Sequence, residues 1–171
     1  MPALCCSWRL HVGSEEGKAK CAFCHTIEPL ADGTPPLFTD FGYDSVGAPR
    51  NPDNPFYRMP PQFNPSGADW VDLGLGRTLQ DPRHNGRFKT PTLRNIARTA
   101  PYMHNGVFKT LREVVDFYNT RDVKTTWPPA EVPETINKKE MGNLQLTEAE
   151  VDDLVAFLRT LTDGHVPPGH P

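Results

Sequence analysis

Cys21-Ala22-Phe23-Cys24-His25 is the stretch that decides how this chain of 171 residues folds. It has the pattern C-x-x-C-H, which is typical of covalent attachment of a c-type haem. The two thiols join the vinyl groups of the haem as thioethers, and the histidine directly after the second cysteine binds the iron from the proximal side. We therefore predict one covalently bound haem c, held by Cys21 and Cys24 and ligated by His25.

Two other chemistries use a C-x-x-C pair, and the rest of the sequence disfavours both. A thioredoxin-like redox pair belongs in a βαβ unit, and no such pattern surrounds the motif. A structural zinc site needs a second pair of cysteine or histidine ligands at a fixed spacing. The remaining candidates, Cys5, Cys6, His84 and His104, do not form such a pair.

Length and composition indicate a single domain whose core includes the cofactor. Hydrophobic residues make up 37% of the chain, which is low for a domain that must bury a large core. A haem supplies the missing apolar centre. We divide the chain into an N-terminal extension (1–13), one c-type haem domain (14–163) and a C-terminal tail (164–171).

Charge and hydropathy exclude two classes of partner. The formal net charge of −3 gives no indication of nucleic-acid binding. No apolar run approaches the ~18 residues that a membrane span requires. We therefore predict neither a nucleic-acid partner nor a membrane-spanning segment.

Two capping boxes predict the main helices of an all-α fold, the few-helix fold of a small c-type cytochrome. Thr110 and Glu113 have the spacing of a capping box, and so do Thr147 and Glu150. An apolar stripe at helical spacing follows each box. The stripes are Leu111, Val114, Val115 and Tyr118 in the first helix, and Val151, Leu154, Val155, Leu158 and Leu161 in the second.

Long proline-rich loops separate these helices. Nine prolines between Pro29 and Pro65 exclude a regular helix or a central strand. The aromatic residues among them predict an ordered loop around the haem edge rather than a solvated linker. Thr90 as cap and Pro91 at the first helical position predict one further short helix.

The residue across the iron from His25 sets the function of a c-type haem. Met103 is the candidate that its position in the chain favours, because its thioether lies in a loop downstream of the motif. Met59 and Met141 are placed less well, and His104 would give a lower potential than methionine. Core packing is the competing role for Met103, because methionine fills gaps between other side chains.

Several stretches of the chain resemble, in the same order, the bacterial di-haem cytochrome c peroxidase superfamily, which includes the methylamine-utilisation di-haem oxidases. The resemblance runs from about residue 18 to the last helix. It corresponds to the C-terminal, electron-accepting haem domain, and it implies that the domain where peroxide reacts lies before residue 1. The stretches are C-A-F-C-H (21–25), L-F-T-D-F (37–41), F-K-T-P-T-L-R-N (88–95), T-A-P-Y-M-H-N-G (99–106) and the helix at 111–118.

The resemblance changes the preferred distal ligand from Met103 to Tyr118. In these peroxidases the distal methionine follows the histidine of the T-A-P-Y-x-H motif by fourteen residues, and that count from His104 reaches Tyr118. The methylamine-utilisation relatives are understood to carry a tyrosine ligand there. Packing within the apolar stripe is the competing role for Tyr118. A phenolate favours Fe(III) and lowers the potential, whereas a methionine sulfur raises it.

The resemblance also implies contacts beside the iron. The family places a calcium ion between its two haem domains, bound by backbone oxygens of the T-A-P segment. Thr99 and Pro101 match those positions, and the remaining protein ligand would come from the other domain. Arg94 is a candidate either for a contact with a haem propionate or for pinning the loop.

The sequence therefore predicts an electron-transfer haem domain that passes single electrons to a redox partner protein or a second haem domain. We expect peroxidase activity only together with that second domain. The alternatives are an independent soluble monohaem carrier and a peroxide-reactive oxidase whose distal site opens.

Haem attachment of this type normally occurs outside the cytoplasm, so we expect a periplasmic or otherwise exported protein. Met1 to Leu10 nevertheless lacks the basic region and the unbroken apolar run of a signal peptide. We therefore expect either a truncated or misassigned start, or a chain that is the tail of a longer protein.

Overall fold

Three α-helices organise residues 17–165, the part of the chain that the computed structural model describes. They are α1 (Leu75–Leu79), α2 (Leu111–Thr120) and α3 (Glu148–Thr160). Within the described residues, no helix is both long and apolar enough to cross a membrane. The predicted N-terminal extension, with Cys5 and Cys6, and residues 166–171 of the predicted tail lie outside the described part.

A small β-sheet accompanies the helices. Strands β1 (Tyr43–Asp44) and β2 (Phe88–Lys89) pair antiparallel, with Tyr43 opposite Lys89 and Asp44 opposite Phe88. The fold therefore departs from the all-α prediction by one two-stranded ladder. Strands of two residues are too short to show the alternation by which a strand is recognised in a sequence.

The short helix predicted from Thr90 and Pro91 is wrong. Helical structure in this segment is limited to a 3₁₀ turn at Ile96–Arg98. The Thr90 N–H donates to the Gly42 carbonyl at 2.8 Å, and the Thr90 carbonyl accepts from Thr39 Oγ1 at 2.8 Å. These contacts hold Thr90 against a distant segment, so it cannot cap a helix there.

Both predicted capping boxes are confirmed. The Thr110 hydroxyl accepts from the Glu113 N–H, and the Glu113 carboxylate accepts from the Thr110 N–H at 2.7 Å. Thr147 and Glu150 make the same pair of bonds at the start of α3, with the carboxylate 2.8 Å from the Thr147 nitrogen. Each box satisfies two backbone donors that a helix start would otherwise leave unpaired.

The core lies between α2 and α3 and includes residues that the predicted stripes omit, among them Phe117 of α2 and Phe157 of α3. The five predicted residues of the α3 stripe are all buried, as are Leu111 and Val115 of α2. Phe117 is fully buried as well, and its ring packs 5.0 Å from Phe108 and 5.3 Å from Trp127. The next residue, Tyr118, is partly buried and packs against the same core.

Candidate functional site

The C-x-x-C-H motif forms a tight turn that brings its cysteines and histidine together. Cys21–Phe23 is a 3₁₀ turn preceded by Lys20 in the left-handed conformation, with φ of 52°. The N–H groups of Cys24 and His25 both donate to the Cys21 carbonyl, at 3.3 and 2.8 Å. Neither cysteine is in a disulfide. One turn of chain therefore presents two free thiols and an imidazole.

The two thiols are protonated at neutral pH. Burial raises the pKa of Cys21 to about 12. Burial, with the charges of Asp44 and Asp40, raises the pKa of Cys24 to about 11. A thiol–disulfide redox centre works through a thiolate whose pKa is lowered. These thiols are therefore poorly suited to the redox-pair chemistry that the sequence also disfavours.

A metal site made by the protein alone does not occur in residues 17–165. No group of three or more His, Cys, Asp or Glu side chains in this part of the chain is arranged to hold a metal ion.

His25 has one ring nitrogen engaged and one available. Nδ1 lies 2.7 Å from the carbonyl oxygen of Phe38. A carbonyl can only accept, so Nδ1 carries the proton and Nε2 keeps its lone pair. Burial lowers the pKa of His25, and the imidazole is therefore neutral at neutral pH. A neutral imidazole whose other nitrogen donates to a backbone carbonyl is the usual state of a metal-binding histidine.

The segment that holds His25 is itself tied down at four consecutive carbonyls. Phe38 has a left-handed backbone, with φ of 56°, which is costly for a residue with a large side chain. Burial of its ring, which meets Phe157 edge-on at 6.3 Å, helps to offset this cost. The carbonyls of residues 36–39 accept, in order, from Arg94 Nε at 3.0 Å, Thr92 Oγ1 at 2.6 Å, His25 Nδ1 and Thr26 Oγ1 at 3.0 Å.

Arg94 pins this segment from the side of residues 90–94. Besides its bond to the Pro36 carbonyl, its guanidinium lies 5.5 Å from the centre of the Phe38 ring. The sequence suggested two roles for Arg94, a contact with a haem propionate and fixing of the loop. These contacts are the ones that the second role requires. Thr92 and the Phe38 carbonyl were not identified from the sequence. Their only sequence signal is their position within the stretches 37–41 and 88–95.

Tyr118 lies in the last turn of α2 and is oriented towards the motif. Burial raises its pKa well above the ordinary value, and the charges of Cys21 and Cys24 add to the shift, so the phenol lies near both thiols. The hydroxyl has no hydrogen-bond partner among the described residues. A buried tyrosine hydroxyl usually finds a partner. This phenol is therefore free to contact a group bound at the motif.

Met103 has the surroundings of a core side chain. It is partly buried and packs against the hydrophobic core. Its backbone is left-handed, with φ of 69°, and its carbonyl accepts from the Gly106 N–H at 3.2 Å to close a tight turn. Tyr118 packs against the same core, so this contact does not decide between the two residues as ligand.

Thr99 and Pro101 flank the cis peptide bond between Ala100 and Pro101 at the surface. The Thr99 hydroxyl donates to the Ile96 carbonyl at 3.1 Å. Among the described residues, nothing donates a hydrogen bond to the carbonyl oxygens of Thr99 or Pro101. Both oxygens are therefore available to a cation or to another chain segment.

Comparison with known proteins gives consistent matches. The family model described as cytochrome c matches residues 13–162. The methylamine utilization protein MauG of Paracoccus denitrificans is 37% identical over 162 residues, which cover 86% of this chain and 40% of that protein. The cytochrome-c peroxidase IdrP1 of Pseudomonas sp. (strain SCT) is 34% identical over 162 residues, covering 85% of this chain and 37% of that protein.

Solved structures agree with these matches. The diheme peroxidase BthA from Burkholderia thailandensis has a TM-score of 0.65 and 31% identity, covering 97% of this chain and 48% of that chain. A variant of BthA has a TM-score of 0.68 and 33% identity. The chain spans about two fifths of the length of the curated relatives it matches.

Proposed function

Because the chain belongs to the cytochrome c family, with MauG and cytochrome c peroxidases among its relatives, we propose that it is a haem c electron-transfer domain. In this proposal it corresponds to the electron-accepting half of a di-haem peroxidase and spans residues 14–163. When bound, the haem supplies a one-electron couple between Fe(III) and Fe(II).

One observation carries the proposal. His25 donates through Nδ1 to the Phe38 carbonyl, directly beside two free thiols whose charges also act on the Tyr118 phenol. These four groups fit a covalent haem: two thiols for the vinyl groups, an imidazole nitrogen for one side of the iron and an oxygen for the other. No other cofactor of the C-x-x-C class uses this combination.

Cys21 and Cys24 anchor the macrocycle. Each thiol would add across one vinyl group, with the sulfur bonding to one carbon and the hydrogen to the other, so no oxidant would be consumed. His25 would bind the iron through Nε2. The bond from Nδ1 to Phe38 fixes the ring orientation and increases the basicity of the ligating nitrogen.

Tyr118 provides the distal ligand in this proposal, and Met103 remains the rival. Both side chains are partly buried and pack against the hydrophobic core. Support for Tyr118 comes instead from its hydroxyl, which has no hydrogen-bond partner among the described residues, and from its interaction with the charges of Cys21 and Cys24. A phenolate oxygen favours Fe(III), so the site would have a low potential. A low potential suits sharing of oxidising equivalents with a partner haem rather than simple relay from a donor cytochrome.

Several apolar side chains that are near the motif in the sequence are exposed to solvent. Packing against the flat, apolar haem macrocycle would bury them. Contact with a macrocycle would remove apolar surface from water, and such burial contributes ~25 cal/mol per Å². The side chains are Phe23, Leu30, Leu37, Phe41 and Tyr43, which are 37–53% exposed.

The remaining proposals concern partners and environment. We propose a second haem domain or a redox partner protein as the electron partner, and an exported, periplasmic location. Calcium binding at the Thr99 and Pro101 carbonyls and a propionate contact of Arg94 stay predictions. A calcium site would need further ligands from the partner.

The test is production of the full chain together with a c-type haem maturation system. We expect haem that stays bound after denaturation, and an absorption spectrum that changes reversibly on one-electron reduction. Replacing both Cys21 and Cys24 by alanine should abolish covalent haem, whereas the exposed Ser66→Ala control should retain it. Wild-type chain that carries no covalent haem under these conditions would show that the proposed function is wrong.

A further inference from the structure

Arg121 follows the last residue of α2 and joins three separate segments of the chain. Its side chain is only 6% exposed. The guanidinium donates to the carbonyls of Val46 at 2.9 Å, Asn137 at 2.7 Å and Met141 at 3.4 Å. It also pairs with Asp122 through two bonds of 2.9 and 2.8 Å. Few side chains have all their polar groups engaged in this way at a helix end.

The segments that Arg121 joins border the cysteine motif. Lys20, directly before Cys21, donates through Nζ to the Lys139 carbonyl at 2.8 Å, and the Asp40 N–H donates to the Cys24 carbonyl at 2.8 Å. Asn137 Nδ2 donates to the Asp44 carboxylate at 2.5 Å, and the Asn137 N–H donates to the Ser45 carbonyl at 2.9 Å. Arg121 thus ties the end of α2 to both segments on this side of the thiols.

Tyr118 is held by the same arrangement through its backbone. Its carbonyl accepts from the Gly142 N–H at 2.6 Å, and the next carbonyl, of Asn119, accepts from Leu144 N–H at 3.1 Å. A Cβ at Gly142 would lie 2.7 Å from Arg121 Nη2 and would contact the Asp122 carboxylate. The loop can therefore approach the Tyr118 carbonyl only because residue 142 is a glycine.

We propose that Arg121 is a positioning residue that holds Tyr118 against the C-x-x-C-H motif. The proposal rests on the proposed function, in which Tyr118 is the distal ligand. Helix ends fray, and Tyr118 lies two residues before the end of α2. Fixing that last turn to two other segments removes the freedom that would let the phenol leave the iron.

The hydrogen-bond geometry of Arg121 and its positive charge can be tested separately by substitution. A lysine keeps the positive charge, but it donates from a single nitrogen and lacks the planar fork of arginine. It can reach one or two of the carbonyls that Arg121 binds, but not all of them together with Asp122. A positioning role therefore predicts that Arg121→Lys restores only part of the effect of Arg121→Gln.

Arg112 offers a matched control on the same helix. It pairs with Asp116 at 3.5 Å and with Glu148 and Asp152, and its side chain is 40% exposed. Arg112→Gln therefore removes an arginine with several ion pairs from α2 without touching the segments around the motif.

The experiment measures the ferric electron paramagnetic resonance spectrum of the haem-loaded full chain for Arg121→Gln, Arg121→Lys, Gly142→Ala and Arg112→Gln. We expect the six-coordinate fraction to fall at least two-fold in Arg121→Gln and Gly142→Ala, and less in Arg121→Lys. We expect Arg112→Gln to match wild type. Thermal unfolding of each variant is recorded beside the spectrum, because a merely structural role would lower the midpoint without changing axial ligation.

Wild-type ligation in Arg121→Gln, or an equal loss in Arg112→Gln, would overturn the proposal. If Arg121→Gln does not accumulate, Gly142→Ala and Arg121→Lys decide by the same criterion. Tyr118→Phe, measured in parallel, separates the two proposals. An unchanged spectrum in Tyr118→Phe contradicts the ligand assignment itself. A changed spectrum there with wild-type ligation in the Arg121 variants contradicts only the positioning role.

Discussion

His25 and Tyr118 are available to a cofactor for opposite reasons. His25 is available because one of its nitrogens is already engaged by the Phe38 carbonyl, which leaves the other with a lone pair. Tyr118 is available because its hydroxyl is engaged by nothing among the described residues, although the burial that raises its pKa is strong.

Tyr102 differs from Tyr118 in this respect. It is 8% exposed, and its hydroxyl donates to the Ile96 carbonyl at 3.0 Å. Its polar group is therefore satisfied within the protein, as a core tyrosine requires. Tyr102 and Tyr118 form a matched pair for testing which tyrosine serves the haem.

Replacing Tyr118 by phenylalanine should change the axial spectrum of the ferric haem and raise its reduction potential, because the hard oxygen ligand is removed. Spectra and potentiometric titration of Tyr118→Phe, Tyr102→Phe and Met103→Leu provide the measurement. We expect Tyr102→Phe to lower stability by about 1 kcal/mol without a spectral change. A spectral change confined to Met103→Leu would show that methionine is the ligand.

The helix α2 has two faces with different tasks. Phe117 is fully buried in the core with Phe108 and Trp127. The adjacent Tyr118 is partly buried against that core and interacts with the charges of Cys21 and Cys24. The capping box at its start and the loop that covers its end therefore affect the site as well as the fold. The helix α3 supports α2 from the core side and has no contact of its own with the motif among those described above.

The start of α3 should give the protein a defined acid sensitivity. The Lys18 ammonium, 2.8 Å away, and the Thr147 N–H lower the pKa of the Glu150 carboxyl. A lowered folded-state pKa stabilises the fold above the unfolded value of about 4.3, and this contribution is lost as the pH falls through the folded value. Wild type should therefore exceed Glu150→Gln by about 0.5 kcal/mol at neutral pH.

Thermal unfolding of the two proteins between neutral pH and pH ~3 measures this difference, because the unfolded-state pKa of a glutamate lies near 4.3. The gap should close on acidification, since the Glu150 carboxyl of wild type then becomes neutral, as the glutamine of the variant is at every pH. Glu134→Gln, at an exposed carboxylate, is the control and should show no gap at any pH. A gap for Glu150→Gln that persists in acid would show that packing, not charge, explains it.

The molecule as a whole brings together segments that are far apart in sequence. Residues 36–39 meet both the motif and residues 90–94, and residues 44–48 meet residues 137–142 through Arg121. These two junctions border the thiols and the imidazole. The chain covers about two fifths of the length of its curated relatives. An activity of a whole relative is therefore no more than a proposal for this chain.

The haem-loaded chain alone should turn over hydrogen peroxide poorly, because His25 and Tyr118 occupy both axial positions in the proposed site. Tyr118→Ala should raise peroxide consumption at least ~10-fold, equivalent to ~1.4 kcal/mol of barrier, by opening one position. The assay follows oxidation of a reduced small-molecule donor after peroxide addition, with Met103→Ala as control. Wild-type turnover equal to that of Tyr118→Ala would favour the peroxide-reactive alternative instead.

Local patterns predicted a substantial part of this protein. The two capping boxes and the α3 stripe are confirmed by the structure. The family match confirms a cytochrome c fold with few helices, and it implies a covalently bound haem c. The ligand roles of Cys21, Cys24, His25 and Tyr118 stay predictions. They depend on a bound haem, which the residue spacing indicates but does not show. All of these inferences rest on residue types at short, fixed spacings.

Other features followed only from the tertiary structure. The helix expected after Thr90 does not form, because the Thr90 backbone is hydrogen-bonded to Thr39 and Gly42. The hydrogen bond of the Phe38 carbonyl and the bonds of Arg121 to Val46, Asn137 and Met141 could not be located from the sequence, because they involve backbone carbonyls, which every residue carries. A sequence shows which side chains can donate. Only the folded chain determines which of the many identical acceptors lies within reach.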